Sequence, residues 1–141
     1  MVKEIMEESM PIRVDHFAFR VADLDKAITF YRGVLGLKLL SKTVDEVHHE
    51  AFAFLELAGG QLELLQLLDE NNSAAGFEKQ KIDHSFCPHL AIRTENLDPL
   101  ILDLSEKKVN IIKGPMEIPG LVKWLYVADS DNNIIEFVEW K

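Results

Sequence analysis

The chain has 141 residues, 48% hydrophobic and 28% charged, with a formal net charge of −9. That size and composition support one compact domain with its own core and exclude a disordered chain, and the negative balance argues against nucleic acid or an anionic membrane surface as partner. No apolar run approaches the ~20 residues of a membrane helix, and the single cysteine, Cys87, rules out an intrachain disulfide and fits a reducing, cytoplasmic setting.

In chain order, the acidic "MVKEIMEESM" lacks the apolar run of a secretory signal and reads as a leader, residues 1–10. "RVDHFAFRV" alternates as a strand: Phe17, Phe19 and Val21 share one face, and His16, Ala18 and Arg20 share the other, which suits a cavity. "ADLDKAITFYRGVLG" predicts a helix that starts at Asp23, repeats apolar residues with a helical period and stops at Gly36. Strands follow in "LKLLSKTV", "EAFAFLEL" and "QLELLQLL", the last two joined across Gly59 and Gly60. Residues 69–84 are polar and form a linker. Then the order recurs: "HLAIRT", a helix from Asn96 to about Lys107 with Pro99 in its first turn, and strands "NIIKG", "VKWLYVA" and "IIEFVEW", the last preceded by the turn "DSDNN".

The recurrence keeps register. At the 73-residue offset between His16 and His89, Ala18 falls on Ala91, Arg20 on Arg93, Leu24 on Leu97, Asp25 on Asp98, Ile28 on Ile101 and Glu63 on Glu136. This is an internal duplication. It predicts an α+β domain of two tandem βαβββ modules, residues 11–68 and 85–141.

Glu136 stands among Ile134, Ile135, Phe137 and Val138, where a carboxylate is costly unless something pairs with it or binds it. One bland explanation is an edge strand with Glu136 facing solvent and Glu139 inward. The other is ligation. His16 precedes Glu63 by 47 residues, and His89 precedes Glu136 by the same 47. A pseudo-twofold axis between the modules would bring all four to one centre. Two imidazoles with two carboxylates suit Zn²⁺, Ni²⁺, Co²⁺ or Mn²⁺. One such residue alone is more often structural; the equal spacing in equal context makes these four candidates. His48, His49 and Glu50 have no counterpart in the second half and read as surface, as does His84. Arg93 reads as a structural ion-pair partner, and Cys87 as a strand residue rather than a nucleophile.

"DHFAFRVADLDKAITFYRGVLGLKLL", "GGQLELLQ", "PHLAIRTENLD" and "VADSDNNIIEFVE" resemble the vicinal oxygen chelate superfamily, most of all glyoxalase I (lactoylglutathione lyase). The resemblance runs from about Ile12 to Glu139. It implies paired βαβββ modules curled into a cup-shaped mixed sheet around one divalent metal, held by His16, Glu63, His89 and Glu136. It also implies a homodimer whose sites combine a module from each chain. The reaction it implies is proton transfer alpha to a carbonyl through a metal-stabilised enediolate. Methylglyoxal and glutathione, as their hemithioacetal, would give S-lactoylglutathione, a detoxification. Glu136 would carry the proton, with Glu63 as second candidate, and Arg20 would bind the glutathione carboxylate. The chain departs from glyoxalase I at Leu67, where an asparagine is usual. The alternative, methylmalonyl-CoA epimerase, would draw an additional base from Glu46 or Glu50 and meet a CoA phosphate with Lys123. A second alternative is a small-molecule-binding protein of this fold without turnover.

Overall fold

The computed structural model describes residues 11–141, so the expected leader, residues 1–10, lies outside the described residues. The first module comprises β1 (His16–Arg20), α1 (Leu24–Leu35), β2 (Leu39–Asp45), β3 (Glu50–Leu57) and β4 (Gly60–Leu67). The second comprises β5 (His89–Arg93), α2 (Leu97–Glu106), β6 (Ile111–Ile118), β7 (Val122–Ala128) and β8 (Ile134–Trp140). Each module is one four-stranded mixed sheet, ordered β1-β4-β3-β2 in the first and β5-β8-β7-β6 in the second. The strands next to the helices pair in parallel, β1 with β4 and β5 with β8, and the other pairs are antiparallel. β8 therefore lies inside its sheet, which rules out the edge-strand reading of Glu136. Among the described residues no helix is long and apolar enough to cross a membrane.

The helix boundaries follow local chemistry. Asp23 caps α1 by accepting from the Lys26 N–H at 3.1 Å, and Gly36 closes it in the left-handed region at φ 66°. Asn96, at the same 73-residue offset, caps α2 by accepting from the Asp98 N–H. A second pair of caps comes from the sheets. Gln66 on β4 accepts from the Leu24 N–H at 2.8 Å, and Glu139 on β8 accepts from the Leu97 N–H at 2.7 Å. Gln66 and Glu139 also stand 73 residues apart, so the duplication extends to the tie between each helix and its sheet.

β6 is longer than the expected "NIIKG" and continues through Gly114 and Pro115 to Ile118. Register shifts against β7 absorb these two residues. Gly114 has φ +102°, and a Cβ there would lie 3.0 Å from the Leu125 Cα and the Trp124 carbonyl oxygen, so only glycine fits.

The modules share one apolar core, in which Phe19, Tyr31, Leu62 and Leu64 pack in one cluster with Leu97, Leu104, Leu125 and Phe137. A buried polar hub joins them as well. The turn before β8 carries Asp129, Asp131 and Asn133, all buried. Asp129 accepts from the Tyr31 hydroxyl at 2.8 Å, and from the backbone N–H groups of Asp131 and Asn133. Asp131 accepts from the Ala22 N–H, and the Asn133 amide donates to the Arg20 carbonyl at 2.9 Å. Burial, then the Asp129 charge, pushes the Tyr31 phenol well above its ordinary pKa, so it stays a donor.

Tyr31→Phe removes one donor from a buried carboxylate and should destabilise the fold by roughly 1–3 kcal/mol in urea titrations. Glu139 supplies a pH test. The Leu97 N–H and then Lys141 hold its carboxyl below the usual range. A lowered pKa in the folded state stabilises above the ordinary glutamate value and ceases to do so as pH falls through the folded value. Glu139→Gln should therefore flatten the acid limb of the stability–pH curve below about pH 4.

Candidate metal centre in two halves

Strand register builds both halves of the site in the same way. In the parallel pairs Ala18 stands opposite Glu63, and Ala91 stands opposite Glu136. Side chains alternate along a strand, so His16 and His89, two residues before these alanines, share the face of the glutamates. The small alanine leaves space for each carboxylate to lean diagonally toward its histidine. His16 Nε2 lies 3.4 Å from Glu63 Oε1, and His89 Nε2 lies 2.8 Å from Glu136 Oε1. Both glutamate side chains are 16% exposed, the histidines 38% and 19%. The groups are thus sheltered yet reachable.

The far nitrogen of each ring is also engaged. His16 Nδ1 is 2.7 Å from Asp15 Oδ2, and His89 Nδ1 is 2.6 Å from the Phe86 carbonyl oxygen. Each ring thus faces oxygen at both nitrogens, and a cation taken up at Nε2 would leave Nδ1 as the donor to the oxygen behind it. That is the arrangement in which a histidine ligates a metal, with an oxygen behind it fixing tautomer and ring orientation. The donor set, imidazole nitrogen plus carboxylate, fits a borderline divalent ion.

The four candidates do not meet within one chain. His16 and Glu63 belong to one sheet, His89 and Glu136 to another, and the sheets share no strand pairing. Among the described residues no three His, Cys, Asp or Glu side chains form a metal-binding group. Convergence of all four at one centre within a chain is therefore not what the structure has: the candidates stand as two separate His–Glu pairs, one per module. Between the modules, the polar hub ties the turn before β8 to the end of β1.

The surroundings differ between halves. Phe54, the cross-strand partner of Glu63, meets His16 edge-on at 5.3 Å, with Phe52 beyond it. Tyr126, the partner of Glu136, meets His89 edge-on at 5.4 Å. Burial, and then the Glu136 charge, raise the Tyr126 phenol above its ordinary pKa, so it is a neutral hydroxyl. Arg20 shares the His16 face and lies 5.5 Å over the Phe77 ring of the linker. Leu67 ends β4, partly exposed, opposite Glu50.

Other expected residues lie elsewhere. Lys123 pairs with Glu139 across β7 and β8, and its ammonium is 3.5 Å from Asp98. Strand alternation turns it to the opposite face from Glu136, so it does not join the half-site. His48 bonds Asp45 at 2.8 Å within the β2–β3 turn, and His49 bonds Asn72 at 2.7 Å, tying that turn to the linker after β4. Arg93 makes no ion pair among the described residues; it borders a cavity of about 380 Å³ at the module junction, with Val14, Phe17 and Leu90. None of the four candidate ligands lines that cavity. Asp15, Phe86, Phe54 and Tyr126 were not singled out from sequence. Asp15 could have been, as an acidic neighbour of a candidate ligand; the other three depend on pairing and loop geometry.

The family profile of the Glyoxalase/Bleomycin resistance protein/Dioxygenase superfamily matches residues 13–137. The chain belongs to that superfamily, and its paired mixed sheets are the corresponding fold. Among its relatives, the mitochondrial methylmalonyl-CoA epimerase of Bos taurus is 33% identical over 127 residues, covering 88% of this chain and 72% of the epimerase. The human counterpart is 30% identical over 75% of this chain, and the chain spans only 60% of it. The solved structure of the trypanothione-dependent glyoxalase I of Leishmania major superposes with a TM-score of 0.69 at 28% identity, over 91% of this chain and 86% of that one.

Saturating Ni²⁺ or Zn²⁺ should raise the melting temperature of chelator-treated protein. At a hundredfold excess over Kd the gain is about 2.7 kcal/mol. His16→Ala and His89→Ala should each remove it, which differential scanning fluorimetry would read.

Proposed function

We propose that the chain is a metal-dependent lyase or isomerase that moves a proton alpha to a carbonyl. Each centre would be built from His16 and Glu63 of one chain and His89 and Glu136 of a second. The observation that carries this reading is the pair of His–Glu contacts, each with Nδ1 backed by oxygen and Nε2 turned to the carboxylate, in halves that one chain does not close. Many superfamily members are homodimers, which supports a second chain as the source of the missing half.

The bound ion would act as a Lewis acid on the substrate carbonyl. The chain's residues do the rest. Glu136 is sheltered, 2.8 Å from His89, and on a rigid interior strand; it is the group to take and return the proton, within reach of a bound substrate. Glu63 is the equivalent group of the other half. Phe52 and Phe54 form an apolar wall that keeps water from the carbanion-like transition state. Arg20, forked and on the same face as His16, takes a carboxylate or phosphate of the substrate.

Two substrates fit this chemistry. A CoA thioester of the methylmalonyl kind comes first, supported by the identity to the epimerases and by Leu67, which cannot hydrogen-bond glutathione as an asparagine would. The methylglyoxal–glutathione hemithioacetal is the second, supported by Arg20 and by the likeness to the Leishmania enzyme. Protein stripped and reloaded with Ni²⁺, Co²⁺, Zn²⁺ or Mn²⁺ should exchange the alpha proton of methylmalonyl-CoA in D₂O, followed by NMR. Formation of S-lactoylglutathione instead, followed in the ultraviolet, would select the hemithioacetal. Neither reaction with any of these metals would overturn the enzyme reading and leave a binding protein. Glu136→Gln should lower turnover by roughly 10²–10⁴-fold, the range of a lost acid–base group, with a smaller loss of metal affinity. Near-wild-type turnover would remove Glu136 as the proton carrier.

A further inference from the structure

The loop that leads into β5 is built more tightly than a linker requires. Asp83 Oδ1 accepts from the Ser85 N–H at 2.8 Å and from its hydroxyl at 2.5 Å. The Asp83 carbonyl accepts from the Phe86 N–H at 3.2 Å, and Ser85 Oγ accepts from the Cys87 N–H at 3.2 Å. Within this frame Phe86 has φ +55°, a left-handed conformation that bulky side chains rarely adopt. Such a backbone persists only where its surroundings over-determine it, and these positions cluster at functional sites.

Two sets of contacts hold Phe86. Its carbonyl oxygen is 2.6 Å from His89 Nδ1. Its ring stacks on Tyr126, with centroids 4.8 Å apart and planes 11° from parallel, and Lys113 Nζ is 5.3 Å from its centroid. Lys113 and Tyr126 are directly paired on β6 and β7. Tyr126 also faces Glu136 across the sheet and meets the His89 ring. One side chain thus pins the loop to the same sheet that carries both candidate ligands of the second half.

We propose that Phe86 is a positioning residue for His89. The stack of its ring on Tyr126 fixes the loop, so that its carbonyl holds the Nδ1 proton and His89 Nε2 stays directed at Glu136 and a divalent cation. This rests on the metal-centre reading. His16 has a different support, the charged carboxylate of its neighbour Asp15, so the two halves of the centre are held unequally.

The test uses the full chain, stripped of metal, and Zn²⁺ affinity by competition with a chromophoric chelator. Phe86→Gly keeps the left-handed backbone and loses the ring; Phe86→Leu keeps apolar bulk and loses the flat face; Phe86→Tyr keeps the stack. The expected result is a roughly 10–100-fold loss of affinity for the glycine and leucine variants, the scale of a lost outer partner, with the tyrosine variant within about threefold of wild type. Nitrogen-15 NMR of the Zn²⁺-loaded protein should show the His89 Nδ1 proton protected from exchange in the wild type and tyrosine variants and exchanging fast in the others. If the glycine variant does not fold, the leucine variant and its NMR spectrum decide. Unchanged affinity and Nδ1 proton exchange in the leucine variant, or a tyrosine variant as weak as leucine, overturns the role of Phe86. His89→Ala is the control: if it binds Zn²⁺ as tightly as wild type, the metal-centre reading itself fails, whereas loss only in His89→Ala defeats Phe86 alone.

Discussion

The register of the two parallel strand pairs is the constraint on which the site depends. Ala18 must stand opposite Glu63, and Ala91 opposite Glu136. A slip of one residue would turn Glu63 and Glu136 into the helix-facing core and bring Leu62, Leu64, Ile135 and Phe137 out to solvent. The four apolar side chains are buried, so hydrophobic burial itself enforces the register that aligns carboxylate and imidazole. The carboxylates are held on the polar face by the core on the other.

The same logic links the helices to the site. Gln66 and Glu139 emerge on the helix side of β4 and β8, three residues beyond the candidate glutamates, and cap α1 and α2. A strand that carries a ligand on one face thus grips a helix N-terminus from the other. The buried hub of Asp129, Asn133 and Tyr31 then fixes one module against the next. The two His–Glu pairs stand apart within a chain, so a centre of four ligands, as proposed, would be assembled between chains.

Much of this was legible in the residues. The 73-residue offset revealed the modules and both His–Glu pairs, because a duplicated site must repeat its spacing. Asp23 and Gly36 marked α1, because caps act on backbone groups a few residues away. What the residues do not announce is non-local. The face that Lys123 presents depends on pairing with Glu139 in β8. β6 outran its expected end because register shifts absorbed Gly114 and Pro115, residues that ordinarily break a strand. The modules meet through a shared core and through contacts such as Tyr31–Asp129 across 98 residues, which no periodicity announces. Phe86 escaped notice because its importance lies in a backbone angle and a stack on Tyr126.

The central claim is that each metal centre joins the first module of one chain to the second module of another, and mixing two defective chains tests it most directly. His16→Ala and His89→Ala proteins, each unable to hold the ion, would be unfolded together, refolded and titrated with Zn²⁺. In a mixed dimer one centre carries both substitutions and the other carries neither. The account predicts that tight Zn²⁺ binding returns in the mixture at one intact centre per mixed dimer. A mixture that binds no more Zn²⁺ than its two components do separately would contradict it.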